Sequence, residues 1–312
     1  MPDGRFAPSP TATLHLGNLR TALVAWLSAR SSSSRFLFRS EDMDQAACRR
    51  EHEVSGVRDL HALGLDHDGL VVRQSERSEL YQGAIDQLIA ADLTYPCYCT
   101  RREVLAEATA SISAPHGALP AGAYAGTCST LDRSARAERE AAGRSPSLRL
   151  RSEGVRVSFT DRVAGEFEGQ VDDFVIRRAD GTPAYNLAVV VDDAEQGVGE
   201  VVRGDDLLET TPRQIHLSRL LGVPVPQYVH VPLVFGPDGE RLAKRHGAVT
   251  LADQQEMGRD PADVLALFSV SLGLVEPGER PTLSELIERF DASRIGREVW
   301  VLPQDIAGSV EL

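Results

Sequence analysis

The amino-acid sequence predicts an α/β protein built on a doubly wound, mostly parallel sheet. In the segment RFLFRSED, Phe36 and Phe38 stand two residues apart, which is the period of a strand. The preceding stretch from Leu14 to Ala29 carries apolar residues at helical spacing and follows a strand-like beginning. The opening therefore runs strand, helix, strand, and the same alternation continues downstream, which favours parallel strands joined by helices.

The later elements are predicted in the same way. Residues 47–63 and 77–92 have the pattern of helices, and the strand-like LVVRQS lies between them. An Ala-, Gly-, Ser- and Pro-rich stretch at 105–123 predicts an insertion or a loop. GVRVSFTDRVAGEFEG and DDFVIRRADGTPAYNLAVVVDDAEQGVGEVVRG predict antiparallel strands, the second with a turn at Asp180–Gly181. After Gly247 the sequence predicts mainly helices.

Composition limits the possible functions. A chain of 312 residues with 42% hydrophobic content is long enough for two domains, or for one domain with appendages. It has neither a long apolar run nor the layout of a secretory signal, which predicts a cytoplasmic protein without a membrane segment. The net charge of −13 argues against a protein that coats nucleic acid. The four cysteines are expected to be free thiols or metal ligands, with Cys48 packed in a predicted helix.

Two segments far apart in the sequence carry the chemistry. GRFAPSPTATLHLGN places a Pro-rich turn before a helix that starts near a glycine, so that backbone N–H groups can face a phosphate. Together with GERLAKRHG, it resembles the HIGH and KMSKS signatures of class I aminoacyl-tRNA synthetases. His15, Gly17 and Asn18 fall in the first signature, and Lys244 falls in the reactive-lysine position of the second.

The resemblance implies a Rossmann-like catalytic domain that uses ATP with Mg²⁺. His15 can donate to a phosphate oxygen, and Gly17 leaves room for close approach. Lys244 can move onto the departing pyrophosphate as the site closes. His15 and Lys244 are therefore the predicted catalytic residues, and His15, Gly17, Asn18 and Lys244 the predicted ATP-binding ones. Taken singly, the alternatives are a helix-capping histidine and a solvated lysine.

Further segments indicate L-glutamate as the amino acid. RFAPSPT, RSEDMD, HVPLVF and the stretch from Pro183 to Gln214 resemble glutamyl-type enzymes of this class over roughly residues 4–250. Two carboxylates and one ammonium require at least one arginine and one acid. The implied glutamate-binding residues include two arginines, one acid and two hydrogen-bonding side chains: Arg5, Phe6, Ala7, Pro8, Ser9, Glu41, Tyr185 and Arg203.

The predicted positions of these residues support the assignment. Arg5 ends the presumed first strand, and Glu41 follows the presumed second. Ligands of doubly wound sheets bind beyond the carboxyl ends of the strands, so both side chains are expected at the binding edge. For Glu41 and Arg203 the alternative is a surface ion pair.

The cysteine spacing gives a third signal. Cys97 and Cys99 form Cys-x-Cys, and Tyr124 and Cys128 form Tyr-x-x-x-Cys. In the resembled family this is the zinc pattern of a short, tRNA-modifying branch, the glutamyl-Q tRNA(Asp) synthetases, and it implies one structural Zn²⁺. His116 is a rival fourth ligand, and buried free thiols are the alternative.

The branch resemblance implies that the chain forms glutamyl-AMP and transfers glutamate to queuosine in the anticodon of tRNA(Asp). A conventional glutamyl-tRNA synthetase and an inactive RNA-binding paralogue are the other hypotheses. The predicted organisation has four parts. They are a first catalytic half at 1–95, an inserted acceptor-type subdomain with the zinc site at 96–180, a second catalytic half with the KMSKS-like loop at 181–250, and a short helical C-terminal region without an anticodon-binding domain at 251–312.

Overall fold

The computed structural model describes residues 3–111, 124–242, 246–247 and 249–307, without the side chains of 107–111. Its strands are β1 (Asp3–Phe6), β2 (Phe36–Ser40), β3 (Val72–Arg73), β4 (Thr94–Cys97), β5 (Ser147–Leu150), β6 (Arg156–Asp161), β7 (Gly165–Gln170), β8 (Val175–Arg177), β9 (Val198–Gly204), β10 (Gln227–Val231), β11 (Val234–Phe235) and β12 (Trp300–Val301). Its α-helices are α1 (Leu16–Ser31), α2 (Arg50–Ala62), α3 (Ser78–Ala90), α4 (Arg101–Ser111), α5 (Arg133–Ala141), α6 (Tyr185–Glu195), α7 (Thr211–Leu221), α8 (Leu251–Glu256), α9 (Pro261–Ser271), α10 (Leu283–Arg289) and α11 (Gln304–Ala307).

The main sheet confirms the predicted doubly wound architecture. Its seven strands run in the order β3-β2-β1-β9-β10-β6-β7, and all neighbours are parallel except β6 and β7. On one side of β1 lies the next strand of the chain, β2, and on the other side lies β9, which comes much later. A topological switch of this kind opens a crevice at the carboxyl ends of the strands, where ligands bind.

Helix α1 is the centre of the larger hydrophobic core. Leu16, Leu19, Leu23 and Leu27 are fully buried, as their helical spacing predicts, and they share one core with residues of β1, β2, β10 and the C-terminal helices. The helix ends at Ser31, after which the chain turns into β2. This core therefore joins the two ends of the described chain, with the C-terminal helices packed in the same hydrophobic core as α1.

Several predictions of local structure are corrected. Strand β9, predicted to be antiparallel, runs parallel to β1 and β10. The hairpin of β6 and β7 is antiparallel as expected, and Gly181 has a left-handed φ of 88° in the predicted turn. The run after Pro183, however, forms helix α6 rather than a strand. Its Leu187 and Ala188 are buried together with neighbouring valines, and a continuous apolar run suits a buried helix as well as a buried strand. Cys48 lies in the turn before α2 and not in a helix.

The segment between β4 and β8 contains a smaller antiparallel sheet in the order β4-β5-β8. Helix α4 occupies the start of the stretch predicted to be a loop, and residues 112–123, His116 among them, lie outside the described residues. The strands β6 and β7 belong to the same stretch of sequence but extend the main sheet. Within the described residues, no helix has the length and apolar character needed to cross a bilayer.

Candidate active site

A cavity of about 470 Å³ lies at the edge of the main sheet where β1, β2 and β9 end. It brings together residues that the sequence separately suggested for two ligands, and the predicted residues among its lining are Arg5, Phe6, Ala7, Pro8, Ser9, His15, Gly17, Asn18, Glu41, Tyr185 and Arg203. Residues 243–245 and 248, which include Lys244, lie outside the described residues. The cavity therefore unites every predicted ATP- and glutamate-binding residue except Lys244.

The N-terminus of α1 forms one end of the cavity. Nδ1 of His15 accepts a hydrogen bond from the backbone N–H of Asn18 at 3.2 Å, and Oδ1 of Asn18 accepts one from the backbone N–H of His15. Burial, assisted by the charge of Arg241, lowers the pKa of His15 to about 4. The neutral ring therefore carries its hydrogen on Nε2. The first turn of α1 has no acidic residue, so this helix end can receive an anion.

Gly17 is required by the packing of this helix end. A Cβ at position 17 would lie 3.0 Å from Cε1 and Nδ1 of His15 and 3.3 Å from Cβ of Val234. A side chain there would displace the His15 ring from its capping position. Because it has no side chain, Gly17 leaves room for the His15 ring to stay in its capping position at this end of the cavity.

The chain that follows GERLAKRHG runs beside the first signature. The backbone N–H of Leu16 donates to the carbonyl of Val249 at 2.7 Å, and His15 forms an antiparallel bridge with Thr250. Arg241, which belongs to the second signature, GERLAKRHG, lines the cavity and pairs with Asp206 at 2.9 Å. Sequence reasoning did not select Arg241, although it was present in the quoted segment.

A network of buried ion pairs surrounds Glu41, the acidic side chain in the cavity wall. Arg39 is fully buried, and its guanidinium lies 3.4 Å from Glu41 and 2.7 Å from Asp193. Arg5 contacts the same Asp193 oxygen at 3.2 Å. Burial raises the pKa of Glu41 to about 6, against the opposing effect of Arg39 and Arg5. Near pH 7 Glu41 is thus a carboxylate at the cavity wall, available to an ammonium group.

A second cavity, of about 720 Å³, adjoins the first. Ser9, Glu41 and Tyr185 line both, so these three side chains form a common wall. The far side of the second cavity includes Cys99 and Arg149 from the segment between β4 and β8. A group bound in the second cavity would therefore lie next to whatever occupies the first.

Three thiols and a phenol converge beside the small sheet. The Sγ atoms of Cys97, Cys99 and Cys128 lie within 4.8 Å of one another. The hydroxyl of Tyr124 lies 3.4 Å from Sγ of Cys97 and 3.7 Å from Sγ of Cys99. In a tetrahedral site with metal–sulfur bonds of about 2.3 Å, neighbouring sulfurs lie about 3.8 Å apart. The donor set and its spacing fit Zn²⁺, with Tyr124 in the fourth position.

The sequence is similar to a known protein family and to named relatives over nearly its whole length. The sequence profile of the family described as tRNA synthetases class I (E and Q), catalytic domain, matches residues 3–302. The chain is 58% identical over 299 residues to a glutamyl-Q tRNA(Asp) synthetase of Nocardia farcinica, covering 96% of this chain and 92% of the relative. It is 49% identical over 314 residues to one of Symbiobacterium thermophilum, covering 97% and 96%.

The fold is also similar to a crystal structure of a glutamate tRNA ligase from Elizabethkingia meningosepticum, solved in complex with its amino acid. The TM-score is 0.82 at 24% identity, and the match covers 97% of this chain and 67% of the solved chain. At this identity the likeness concerns the fold alone.

Proposed function

The chain belongs to the family of class I tRNA synthetases (E and Q), which are ligases, and from that premise we propose that it activates L-glutamate with ATP and transfers it to queuosine in tRNA(Asp). One observation supports the activation step. The N-terminus of α1, which can receive an anion, and the charged side chains that can bind glutamate line the same cavity. The names of the two relatives support the acceptor. We place the reaction in the cytoplasm, as the sequence predicts.

In the activation step, a glutamate carboxylate oxygen bonds to the α-phosphorus of ATP, and the bond from that phosphorus to pyrophosphate breaks. Most of the catalysis is positioning and charge stabilisation. The Nε2–H of His15 donates to a phosphate oxygen, and the N-terminus of α1 faces the same charge. Lys244 meets the charge that develops on pyrophosphate. Mg²⁺ carried with ATP neutralises part of the phosphate charge.

Glutamate is held by opposite charges at the sheet edge. Glu41 receives the ammonium group, and Arg5 and Arg203 face the two carboxylates. Ser9 and Tyr185 supply further hydrogen bonds from the wall shared with the second cavity. This arrangement orients the reacting carboxylate toward His15 while the other carboxylate stays with an arginine.

Glutamate-dependent exchange between pyrophosphate and ATP tests the activation step. We expect exchange without tRNA, because Arg39 and Asp193 already order the charged cavity wall in the free chain. Glutamine should support much weaker exchange, since its amide leaves an arginine without an anionic partner. The measurement is the isotope exchange rate with each amino acid, with and without tRNA. A strict requirement for tRNA would contradict this proposal.

We further propose that Cys97, Cys99, Tyr124 and Cys128 hold one structural Zn²⁺. Elemental analysis of the purified protein should find about one zinc per chain, and Cys97→Ser or Cys128→Ser should reduce it. Cys48→Ser is the matched control, because Cys48 lies outside the cluster and should leave the zinc content unchanged. Zinc-free protein, or equal zinc in all variants, would leave the three thiols as packing residues.

A further inference from the structure

The guanidinium of Arg203 is surrounded by uncharged hydrogen-bond acceptors. Its Nε–H donates to Nε2 of His230 at 3.1 Å. One terminal nitrogen donates to Oε1 of Gln214 at 2.7 Å, and the other donates to Oγ1 of Thr211 at 2.8 Å. Among the residues that the structure describes, no carboxylate oxygen lies within the 4.0 Å of an ion pair with Arg203.

The other arginines at this edge differ in this respect. Arg5 contacts Asp193 at 3.2 Å, and Arg39 contacts the same carboxylate at 2.7 Å. Arg241 pairs with Asp206. The charge of each of these arginines is thus at least partly balanced within the protein. Arg203 is buried like Arg5 and Arg39 and lines the cavity, but no described carboxylate forms an ion pair with it.

Asp161 keeps His230 in the form that Arg203 needs. Because Nε2 of His230 accepts a hydrogen bond from Arg203, the ring hydrogen lies on Nδ1, which donates to Asp161 at 2.7 Å. Burial lowers the pKa of His230, and the nearby Arg203 charge adds to this effect, so the ring is neutral. Asp161 also accepts from the backbone N–H groups of Val163 and Ala164, so its oxygens are hydrogen-bonded to donors other than Arg203.

The remaining ring at this position is neutral as well. Tyr228 lies with its ring 5.5 Å from the Arg203 guanidinium and stacks on His230 at an interplanar angle of 13°. Burial raises the pKa of Tyr228 to about 12, so it is a phenol at physiological pH. The described side chains that accept a hydrogen bond from the guanidinium or lie over it with a ring are therefore all uncharged: His230, Thr211, Gln214 and Tyr228.

We propose that His230, Thr211 and Gln214, with Asp161 behind His230, are positioning residues that hold Arg203 while leaving its charge free to select an acidic substrate over the corresponding amide. We call His230, Thr211 and Gln214 the neutral cradle. A buried cation without a partner costs free energy, and a carboxylate in the cavity offsets that cost where a carboxamide does not. This selectivity for glutamate over glutamine rests on the proposed activation of glutamate in the same cavity.

Gln214→Glu tests the cradle by changing charge at nearly constant shape. The new side chain still accepts a hydrogen bond from Arg203 but neutralises its charge. We expect the KM for glutamate in pyrophosphate exchange to rise about 10- to 100-fold, with kcat at saturating glutamate and the KM for ATP changing by less than about threefold. The preference for glutamate over glutamine should fall by a similar factor. Gln214→Glu also loses the hydrogen bond that Nε2 of Gln214 donates to Oδ1 of Asn186 at 3.0 Å, so a merely structural effect should lower thermal stability and kcat as well, whereas the cradle proposal predicts a selective rise in the KM for glutamate.

Gln227→Glu is the matched control, because it adds the same charge on the exposed start of β10 and should behave as the parent. Thr211→Asn and Thr211→Asp form a second pair of nearly equal shape, one neutral and one charged, and they decide the question where thermal unfolding shows that Gln214→Glu does not fold. The charged member should raise the KM for glutamate more than the neutral member does. If the parent activates glutamate, and neither Gln214→Glu nor Thr211→Asp selectively raises the KM for glutamate, the cradle proposal is wrong. If the parent does not activate glutamate, the proposed function fails and the cradle proposal fails with it.

Discussion

Replacing Lys244 with alanine is expected to slow formation of glutamyl-AMP by about 10²- to 10³-fold and to change glutamate affinity little. The reason is that negative charge builds up on the pyrophosphate oxygens only as the bond to the α-phosphorus breaks. A cation that meets this charge stabilises the transition state more than the bound substrates. Single-turnover measurement of adenylate formation, together with glutamate binding by calorimetry, separates the two effects.

The amino-acid composition supports a specific role for Lys244. It is the only lysine among the 33 Lys and Arg residues of the chain. An ammonium on a flexible stem can follow a moving phosphate group, whereas a planar guanidinium suits fixed, two-point contacts. The described residues Val249 and Thr250, a few positions further on, are hydrogen-bonded beside the His15 end of the cavity. A single lysine in this segment is therefore expected to act on the phosphates.

Lys244→Arg is the matched control, because it keeps the charge while changing its shape, and it should retain more activity than Lys244→Ala. The uniqueness of Lys244 allows a second check. An amine-selective reagent can modify one lysine and the α-amino group, so modification of Lys244, located by peptide mapping, should inactivate the enzyme, and ATP should protect it. Equal rates of adenylate formation in parent and Lys244→Ala would remove this lysine from the mechanism.

The sequence predicted the parallel sheet because alternating strand and helix periods persist over the first part of the chain. It failed at α6, where Leu187, Ala188 and the adjacent valines form an apolar run without a diagnostic period. Local pattern carries no information about which element such a run packs against. The choice between helix and strand is made there by tertiary burial, with Asp192 and Asp193 placed against Arg39 as a result.

The candidate site was predictable where its residues lie in recognisable segments. Arg5, Glu41 and Arg203 were selected in this way, and the structure brings them to one cavity. The partners that hold them were not selected. Asp161 lies on the β6–β7 hairpin, distant in sequence from His230, and only the pairing of β10 with β6 brings them together. Such supporting contacts depend on strand order, which no local spacing encodes.

The second cavity suggests how the glutamyl group leaves the site. It shares the wall of Ser9, Glu41 and Tyr185 with the first cavity, so under the proposed function a nucleophile bound there would lie beside the glutamyl group. Arg101 and Arg178 also line it and can contact RNA phosphates, although the chain as a whole carries a net charge of −13. This favours recognition of a local RNA feature over extended electrostatic binding.

We therefore expect labelled glutamate to be transferred to tRNA(Asp) that contains queuosine, and also to an isolated anticodon stem-loop that carries this base. In the proposed transfer, a hydroxyl oxygen of the modified base bonds to the acyl carbon, the bond from that carbon to the phosphate oxygen of AMP breaks, and the hydroxyl proton is released. The splayed bases of a single-stranded loop are the form of RNA that a protein cavity reads most readily, so the loop should suffice. Unmodified tRNA(Asp) of the same sequence is the matched control and should stay unlabelled, as should tRNA(Glu). Nuclease mapping locates the label, and its appearance at the 3′ end of tRNA(Glu) would instead identify a conventional glutamyl-tRNA synthetase.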